Sequence, residues 1–325
     1  MRTLRAVAIA VLAMGLAACG GQAAAPETKT EAQPSAAPFR VIKHAMGETK
    51  IPTQPKRVVA LDQSFVDAVL TLETQVIGYT NYRGITDKLP DYLGTVAQTY
   101  GKDAVSVGTL EAPSLEKITA LKPDLIVSAK VRHGALYDKL ARIAPTVFSE
   151  TTGAIWKDNV RLVGQALGKE DLADTTLKKF EERAGKIGAA IKEKEGKMPT
   201  IAPLRFAGEP EVRLYVENSY SGVVLKDVGF PRPEGQPTDP KEIMVPISQE
   251  RITDLDADHI FVSTYQDPSA TGAKDKFTSN PLWEKLKGTK HDVSDLTWMS
   301  AVGLQGGQAI LDDVAKFFSV ESFRS

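Results

Sequence analysis

Apolar runs alternate with amphipathic stretches along both halves of the chain. Residues 55–61 and 76–79 are short apolar runs typical of buried strands, and residues 62–72 between them carry their apolar side chains on one helical face. Residues 80–103 lack a clear period and predict a long loop, which precedes a third strand at residues 105–108. Strands that alternate with helices predict an α/β fold with a mostly parallel sheet flanked by helices.

One helix–turn–strand pattern occurs twice. Residues 114–127 and 248–261 align without gaps, with seven identities in fourteen positions. Ser114 is a suitable N-cap, and Glu116 follows in the first turn, where the helix dipole favours an acid. Ser248 and Glu250 hold the same two positions in the second copy. The repeat predicts two similar α/β lobes, and two lobes form a cleft that suits a ligand.

The segment between the two lobes has a different pattern. Residues 155–195 keep a helical period without any strand signal, apart from an interruption at Gly168. A helix of about 25 residues is about 37 Å long, which is enough to cross between two lobes. We therefore predict an N-terminal α/β lobe (39–153), a long interlobe helical segment (154–195) and a C-terminal α/β lobe (196–325).

The N-terminus has the features of a targeting signal. Arg2 and Arg5 precede an apolar run, residues 6–16, that is too short to span a bilayer comfortably. The run ends in LAACG, which resembles a bacterial lipobox and implies a signal peptide over residues 1–18 and lipid on Cys19. An ordinary secretory signal is the alternative. Residues 19–38 are rich in Ala, Pro, Thr and Glu, which predicts a disordered tether on an extracytoplasmic protein anchored to the cell membrane.

Composition excludes several classes of protein. Hydrophobic residues make up 42% of the chain and charged residues 25%, and the net charge is −1, which is typical of a globular protein without a nucleic-acid partner. Cys19 is the single cysteine, so the chain has neither an internal disulfide nor a thiolate cluster for a metal.

Several motifs in order resemble the iron–siderophore binding proteins of bacterial ABC importers, a group with cobalamin- and haem-binding members. The motifs, spread over about residues 50–318, are PKRVVAL, VIGYT, VGTLEAPSLEKITALKPDLIV, LARIAPTVF, ISQERITDLDADHIFV, NPLW and GGQAILDDV. The resemblance implies two α/β lobes joined by one long helix, with the ligand in the cleft. It also implies a monomer that delivers its ligand to a permease dimer with its ATPase.

The resemblance gives Glu116 and Glu250 a specific role. In this family one acidic residue on each lobe docks with a basic pocket of the permease dimer, and these two residues occupy the matching motif positions. The alternative is that each carboxylate only complements a helix N-terminus, which stabilises a helix by about 0.3–1 kcal/mol.

Candidate ligand-binding residues follow the carboxyl ends of the predicted strands, where open α/β sheets bind ligands. They are Tyr82, Arg83, Arg132, His133 and Trp156 in the first lobe, and Arg205, Tyr215, Arg232, Tyr265 and Trp298 in the second. Arginine offers a planar fork of donors to the partly negative oxygens of a ferric siderophore, and aromatic rings contact its organic backbone. The siderophore itself coordinates the iron, so we expect no cofactor and no direct metal ligand. The overall resemblance favours a hydroxamate, and a catecholate stays open.

Each candidate has a simpler explanation, because a loop arginine is usually a solvated charge and a tryptophan usually belongs to the core. Core packing is a serious rival for Trp298 in particular. Trp156 fits either role.

Other cargoes and an enzyme remain as alternatives. Haem or cobalamin is an alternative cargo of the same class of transporter. Haem usually takes an axial His or Tyr, so His133 and Tyr82 keep it open, whereas cobalamin usually needs a strongly aromatic cleft. A divalent metal such as zinc or manganese needs several converging ligands, and of the four histidines only His133 is expected in the cleft. An enzyme is disfavoured because the chain has no Gly-x-Ser-x-Gly elbow and no phosphate-binding loop. Turn and N-cap roles explain Asp62 and Ser64 better than nucleophilic catalysis does.

Overall fold

The computed structural model describes residues 37–81, 85 and 88–324 of the chain. Cys19, Tyr82 and Arg83 lie outside these described residues, as do the predicted signal peptide and most of the predicted tether. Two five-stranded sheets flanked by helices dominate the described part, and a small two-stranded sheet accompanies them. This arrangement confirms the predicted α/β fold with two lobes, which we name the first and the second lobe after the order of their sheets.

The first lobe has a sheet whose strand order is β5-β4-β3-β6-β7, and all of its pairs are parallel. Its strands and helices are β1 (Arg40–His44), β2 (Gly47–Ile51), β3 (Arg57–Ala60), α1 (Gln63–Thr71), β4 (Gln75–Tyr79), α2 (Gly94–Tyr100), β5 (Val105–Ser106), α3 (Leu115–Leu121), β6 (Leu125–Ala129), α4 (Lys130–His133), α5 (Tyr137–Ala141) and β7 (Thr146–Ser149). Strands β1 and β2 form the separate antiparallel hairpin.

The second lobe has a mixed sheet with the strand order β10-β9-β8-β11-β12. Strands β8, β11 and β12 run parallel, whereas β9 pairs antiparallel with both β8 and β10. The remaining elements are α6 (Trp156–Leu167), α7 (Glu170–Glu195), β8 (Ile201–Phe206), β9 (Val212–Tyr215), α8 (Tyr220–Val228), β10 (Met244–Ile247), β11 (His259–Thr264), α9 (Pro268–Thr278), β12 (Thr289–Val293) and α10 (Leu304–Phe317). Single turns of 3-10 helix are Asp91–Leu93, Gly134–Leu136, Gln249–Leu255 and Trp283–Lys285, and Leu296–Ser300 is a π-helical turn.

Helix α7 is the long helix that the sequence predicts between the lobes. Gly168 ends α6 in the left-handed conformation, at φ 67°, and α7 then runs for 26 residues to Gly196. Its apolar stripe is buried in the largest core cluster, which includes Phe180 and Ile187. Among the described residues, none of the helices has both the length and the apolar composition needed to cross a membrane.

The two copies of the sequence repeat occupy equivalent places in the two lobes. The carboxylate of Asp124 accepts hydrogen bonds from the backbone N–H groups of Lys56 and Arg57 at 2.8 and 2.9 Å, at the start of β3. Asp258 does the same for the backbone N–H of Thr200, at 2.8 Å, just before β8. In both lobes the repeat therefore fastens its own strand to the start of the central neighbouring strand.

The helices of the two copies differ. Ser114 caps α3 by accepting from the backbone N–H of Lys117 at 3.3 Å, whereas Ser248 makes no side-chain cap and its helix is of the 3-10 type. Ala120 in the first copy is replaced by Asp254 in the second. Aspartate is a poorer helix former than alanine, and an acid near the C-terminus opposes the helix dipole, so the second copy has a weaker local preference for an α-helix.

The prediction of an unbroken loop over residues 80–103 is wrong for its second half. Helix α2 and the preceding 3-10 turn lie there. Val96, Ala97 and Tyr100 pack against the main core cluster without being fully buried. Tertiary contacts therefore stabilise a helix whose own sequence lacks a clear apolar period.

Candidate functional site

A cavity of about 320 Å³ has walls from both lobes. Its first-lobe wall comes from residues that follow the carboxyl ends of β3, β6 and β7, which is where parallel sheets present their ligand sites. Its second-lobe wall comes from β8, β9, the start of α8 and the π-helical turn. The residues that carry its polar and apolar character are Asp62, Leu110, Val131, Arg132, Arg205, Arg213, Tyr215, Ile243, Met299 and Ser300.

Arg132 is the charged group of the first-lobe wall. Its Nε donates to Oδ2 of Asp62 at 2.9 Å, and its side chain is 35% exposed. Asp62 is the N-cap of α1 and also accepts from the backbone N–H and the hydroxyl of Ser64 at 3.0 and 2.9 Å. Among the described residues, the two terminal nitrogens of Arg132 have no hydrogen-bond partner. They are therefore available to a ligand in the cavity.

Arg205 is the deepest charge of the second-lobe wall. Its Nε and Nη2 donate to the two carboxylate oxygens of Asp295 at 2.6 and 2.7 Å, and Nη1 donates to the hydroxyl of Tyr215 at 3.3 Å. Ser263 and Ser300 donate to the same carboxylate at 2.9 and 3.2 Å. Burial opposes the charge of Arg205, but Tyr215 and Asp295 outweigh it and raise the pKa of the guanidinium. Asp295 and Tyr215 therefore hold the guanidinium of Arg205 in one orientation in the cavity wall.

Arg213 is a cavity residue that the sequence analysis missed. It faces Arg205 directly across the β8–β9 hairpin, and its Nη2 donates to Glu209. The contact with Arg213 holds the pKa of the Glu209 carboxyl below its ordinary value. We predicted ligand residues only at strand ends, whereas Arg213 lies near the start of a strand. The signal was available, because residues 207–211 are too few for a crossover and require an antiparallel return.

The two predicted tyrosines of the second lobe lie beside Arg205. Tyr215 lines the cavity, two residues after Arg213 on the same face of β9. Tyr265 directly follows β11, and its ring centroid lies 5.4 Å from the guanidinium carbon of Arg205. Tyr265 borders a small recess that it shares with Asp295 and Ser300.

His133 lies under the cavity wall and not on its surface. It is 2% exposed, and its two ring nitrogens contact Ser128 Oγ at 2.7 Å and the carbonyl oxygen of Leu110 at 2.6 Å. A carbonyl can only accept, so Nε2 carries the proton and Nδ1 accepts from the serine hydroxyl. Burial lowers the pKa of His133. With both nitrogens engaged, His133 positions Leu110 and presents no axial ligand for haem.

The structure places the predicted tryptophans in the core. Trp298 is fully buried, and its Nε1 donates to Asp313 Oδ2 at 2.8 Å, so the expectation that it lines the cleft is wrong. The carboxylate of Asp313 satisfies the indole N–H inside the fold, and Phe261 packs against the ring at 4.8 Å between centroids. Trp156 is 1% exposed and packs edge to face against Phe180 at 5.4 Å.

Arg232 is separated from the other arginines. It lines a different cavity, of about 650 Å³, under the proline-rich segment of residues 231–240. Burial lowers the pKa of Arg232 to about 10. Its Nη2 is buried without a hydrogen-bond partner among the described residues. The structure therefore does not bring Arg232 together with Arg132 and Arg205.

Glu116 and Glu250 lie on the surface, one on each lobe. Glu116 is exposed in the first turn of α3, and Glu250 is exposed in the first turn of the 3-10 helix of the second copy. A hydrogen bond from the side chain of Ser248 lowers the pKa of Glu250. Neither residue is among those that line the cavity.

Within the described residues, no three His, Cys, Asp or Glu side chains converge in the way a metal ion requires. His259 and His291 do meet, with Nδ1 and Nε2 2.9 Å apart and the rings stacked, but they lie on β11 and β12 beside Phe318. Donors for an anion, and not metal ligands, dominate the cavity.

Comparison with known proteins agrees with this geometry. A family model described as periplasmic binding protein matches residues 58–293. The chain is 34% identical to the probable siderophore-binding lipoprotein YfiY of Bacillus subtilis, over 94% of each chain. It is 28% identical to the Fe(3+)-citrate-binding protein YfmC of the same organism, over 97% of this chain and 98% of the relative. The structure of Staphylococcus aureus SirA complexed with staphyloferrin B matches with a TM-score of 0.75 and 31% identity, over 87% of this chain and 99% of that one.

These relatives are binding proteins and not enzymes. The comparisons therefore confirm the expectation that the two lobes serve to bind a ligand and not to catalyse a reaction.

Proposed function

Because the chain belongs to the periplasmic binding protein family, we propose that it captures a ferric siderophore outside the cytoplasm and delivers it to an ABC permease. The observation that carries the proposal is the meeting of Arg132, Arg205 and Arg213 around one cavity whose walls come from both lobes. The names of the relatives, a siderophore-binding lipoprotein and a ferric-citrate-binding protein, support the same ligand class.

The cavity suits a ligand that brings its own iron coordination. Oxygen donors around Fe(III) retain partial negative charge at their outer face, and guanidinium groups hydrogen-bond such oxygens in pairs. Val131 and Ile243, which are 60% and 47% exposed, add one apolar contact from each lobe for the organic backbone. The protein then needs to supply orientation and charge but no metal ligand. The hydroxamate class favoured by the overall resemblance stays a prediction.

A ligand titration tests the binding step. The mature chain is mixed with ferrioxamine-type hydroxamates, ferric catecholates, ferric citrate, haem, cobalamin and zinc, and tryptophan fluorescence is followed. Trp156 packs against Tyr220, which lines the cavity, so a bound iron chelate quenches the signal. We expect saturable quenching by one class of ferric chelate. A response to haem, cobalamin or zinc alone contradicts the siderophore proposal.

Delivery to the permease rests on Glu116 and Glu250. One exposed acid on each of two similar lobes can meet two identical permease subunits with equivalent charges. We expect the double variant Glu116→Ala/Glu250→Ala to abolish iron uptake while the purified protein keeps its siderophore affinity. A loss of affinity in this variant contradicts the docking role.

Membrane attachment is the remaining part of the proposal. Cys19 follows the lipobox-like LAA and is the expected lipidation site. We expect Cys19→Ser to release the protein from the membrane fraction, and retention of that variant in the membrane contradicts the anchor.

A further inference from the structure

The β8–β9 hairpin places two arginines directly opposite each other. Arg205 and Arg213 are paired residues of this antiparallel ladder, so their side chains lie on one face of the sheet and both line the cavity. Like charges in this position are destabilising unless something compensates them. Asp295 and Glu209 offset part of this repulsion, and an anionic ligand between the two arginines would offset more of it.

Each cavity arginine is held by a carboxylate of its own lobe. Asp62 engages the Nε of Arg132, Asp295 engages one edge of Arg205, and Glu209 engages the Nη2 of Arg213. Asp62 and Asp295 are nearly fully buried, so they orient their arginines from behind. Among the described residues, the terminal nitrogens of Arg132 stay unengaged, whereas every nitrogen of Arg205 already donates to Asp295, Tyr215 or Ser300.

The donors left over are numerous and placed on both lobes. The terminal nitrogens of Arg132 have no partner among the described residues. The Nε of Arg213 is buried, and it likewise has no hydrogen-bond partner in the described part of the chain. A buried guanidinium nitrogen without a partner calls for a missing acceptor, because native structures satisfy nearly all such groups. A ligand that accepts hydrogen bonds from Arg132 and from Arg213 at once needs acceptor groups at both of its ends.

The classes of ferric siderophore differ in the groups that they present. Three hydroxamates neutralise Fe(III) and leave no anionic group free. Catecholates carry negative charge and could contact Tyr215 on the cavity wall, but their charge lies on the oxygens that coordinate the iron, so they leave no carboxylate free. Hydroxycarboxylates of the citrate type keep free carboxylates, and a carboxylate is the planar two-oxygen acceptor that matches a guanidinium fork.

We infer that the cargo is a ferric polycarboxylate of the citrate type, held by Arg132 on one lobe and by Arg205 and Arg213 on the other. This inference rests on the proposed function and narrows it away from the hydroxamate class. Arg213 determines the specificity, because a free carboxylate is a stronger acceptor for its unpaired Nε than the partly negative oxygens of a neutral chelate are.

Calorimetric titration of the full mature chain with ferric citrate and with ferrioxamine tests the inference. We expect ferric citrate to bind at least about tenfold more tightly than ferrioxamine. Arg213→Met should weaken ferric citrate at least about tenfold and leave ferrioxamine within about twofold. Arg213→Lys, which keeps the charge without the fork, should recover part of the loss. Arg161→Met is the matched control, since Arg161 is half-buried on α6, away from the cavity, and its ion-pair partners within the described part of the chain are Asp158 and Asp174.

The outcomes separate the two proposals. Tighter binding of ferrioxamine, or an equal loss for both chelates in Arg213→Met, overturns the carboxylate inference and leaves siderophore capture intact. Absence of binding by every ferric chelate overturns the proposed function itself. Thermal unfolding of each variant identifies one that fails to fold, and Arg213→Lys then supplies the decisive comparison.

Discussion

The two lobes hold their cavity arginines in different ways. Arg132 of the first lobe makes one contact to Asp62 and is 35% exposed, whereas Arg205 of the second lobe makes two contacts to Asp295 and is 6% exposed. Tyr215 and Ser300 further fix Arg205. The second lobe therefore provides a rigid base, and the first lobe provides a charge that still has donors to offer.

The difference follows from the sheets. In the five-stranded sheet of the first lobe every pair is parallel, and Arg132 lies beyond a strand end, where water reaches it. In the second lobe the antiparallel β9 brings Arg213 and Tyr215 alongside the end of β8, which encloses Arg205 within the sheet surface. The antiparallel strand β9 thus helps to bury Arg205, whereas Arg132, which follows a parallel strand, stays partly exposed.

The largest effect should come from breaking the buried pair. Asp295→Ala leaves Arg205 buried without its carboxylate, which should lower the free energy of unfolding by about 3–5 kcal/mol. The equivalent Asp62→Ala should cost only about 1–2 kcal/mol, mostly through the lost N-cap of α1, because Arg132 stays partly hydrated. Urea unfolding of both variants, followed by circular dichroism, measures the difference.

A double variant separates stability from binding in this pair. Arg205→Met/Asp295→Leu replaces both charges by apolar groups and should recover most of the stability lost in Asp295→Ala. It should still fail to bind the ferric ligand. Equal costs for Asp295→Ala and Asp62→Ala would remove the distinction between the two lobes.

The next effect concerns affinity and not stability. Arg132→Met removes donors that serve the ligand, so binding should weaken by about 1.5–3 kcal/mol, the range for a hydrogen bond to a charged group. The free energy of unfolding should change by no more than about 1 kcal/mol, because Arg132 is partly exposed and the buried Asp62 keeps its two hydrogen bonds from Ser64. Titration and urea unfolding of the same preparation give both numbers. A large loss of stability with unchanged affinity would assign Arg132 a structural role.

Features with a strong local signal could be predicted from the sequence. The repeat predicted two similar lobes, and Asp124 and Asp258 now explain why this pattern is present twice: each ties its strand to the central strand beside it. The helical period with its break at Gly168 predicted α6 and α7. The positions of Arg132 and Arg205 in the cavity wall could be predicted because open α/β sheets bind ligands beyond the carboxyl ends of their strands.

Features that depend on tertiary packing could not be predicted in this way. Trp298 was expected in the cleft because it follows a strand, but the π-helical turn directs its ring toward Phe261 and Asp313. Arg213 was overlooked because strand polarity in the second sheet reverses at β9. The position of Trp298 depends on contacts with residues distant in sequence, and the position of Arg213 depends on a change of strand direction.

The smallest effect should appear in the pH dependence of stability. Burial lowers the pKa of His133 in the first lobe and of His259 and His291 in the second, each from an ordinary value of 6.5. The unfolded chain then binds more protons in acid, so the free energy of unfolding should fall as the pH drops below about 6.5.

The two lobes should again differ in this dependence. His133→Gln removes one such group, whereas His259→Gln/His291→Gln removes a stacked pair whose two rings share one hydrogen bond and cannot both take up a proton without repulsion. The slope of unfolding free energy between pH 7 and pH 5 should therefore flatten more in the second-lobe variant. Urea unfolding at intervals across this range measures both slopes. A greater flattening in His133→Gln would show that the buried histidine under the cavity, and not the pair, dominates the response to acid.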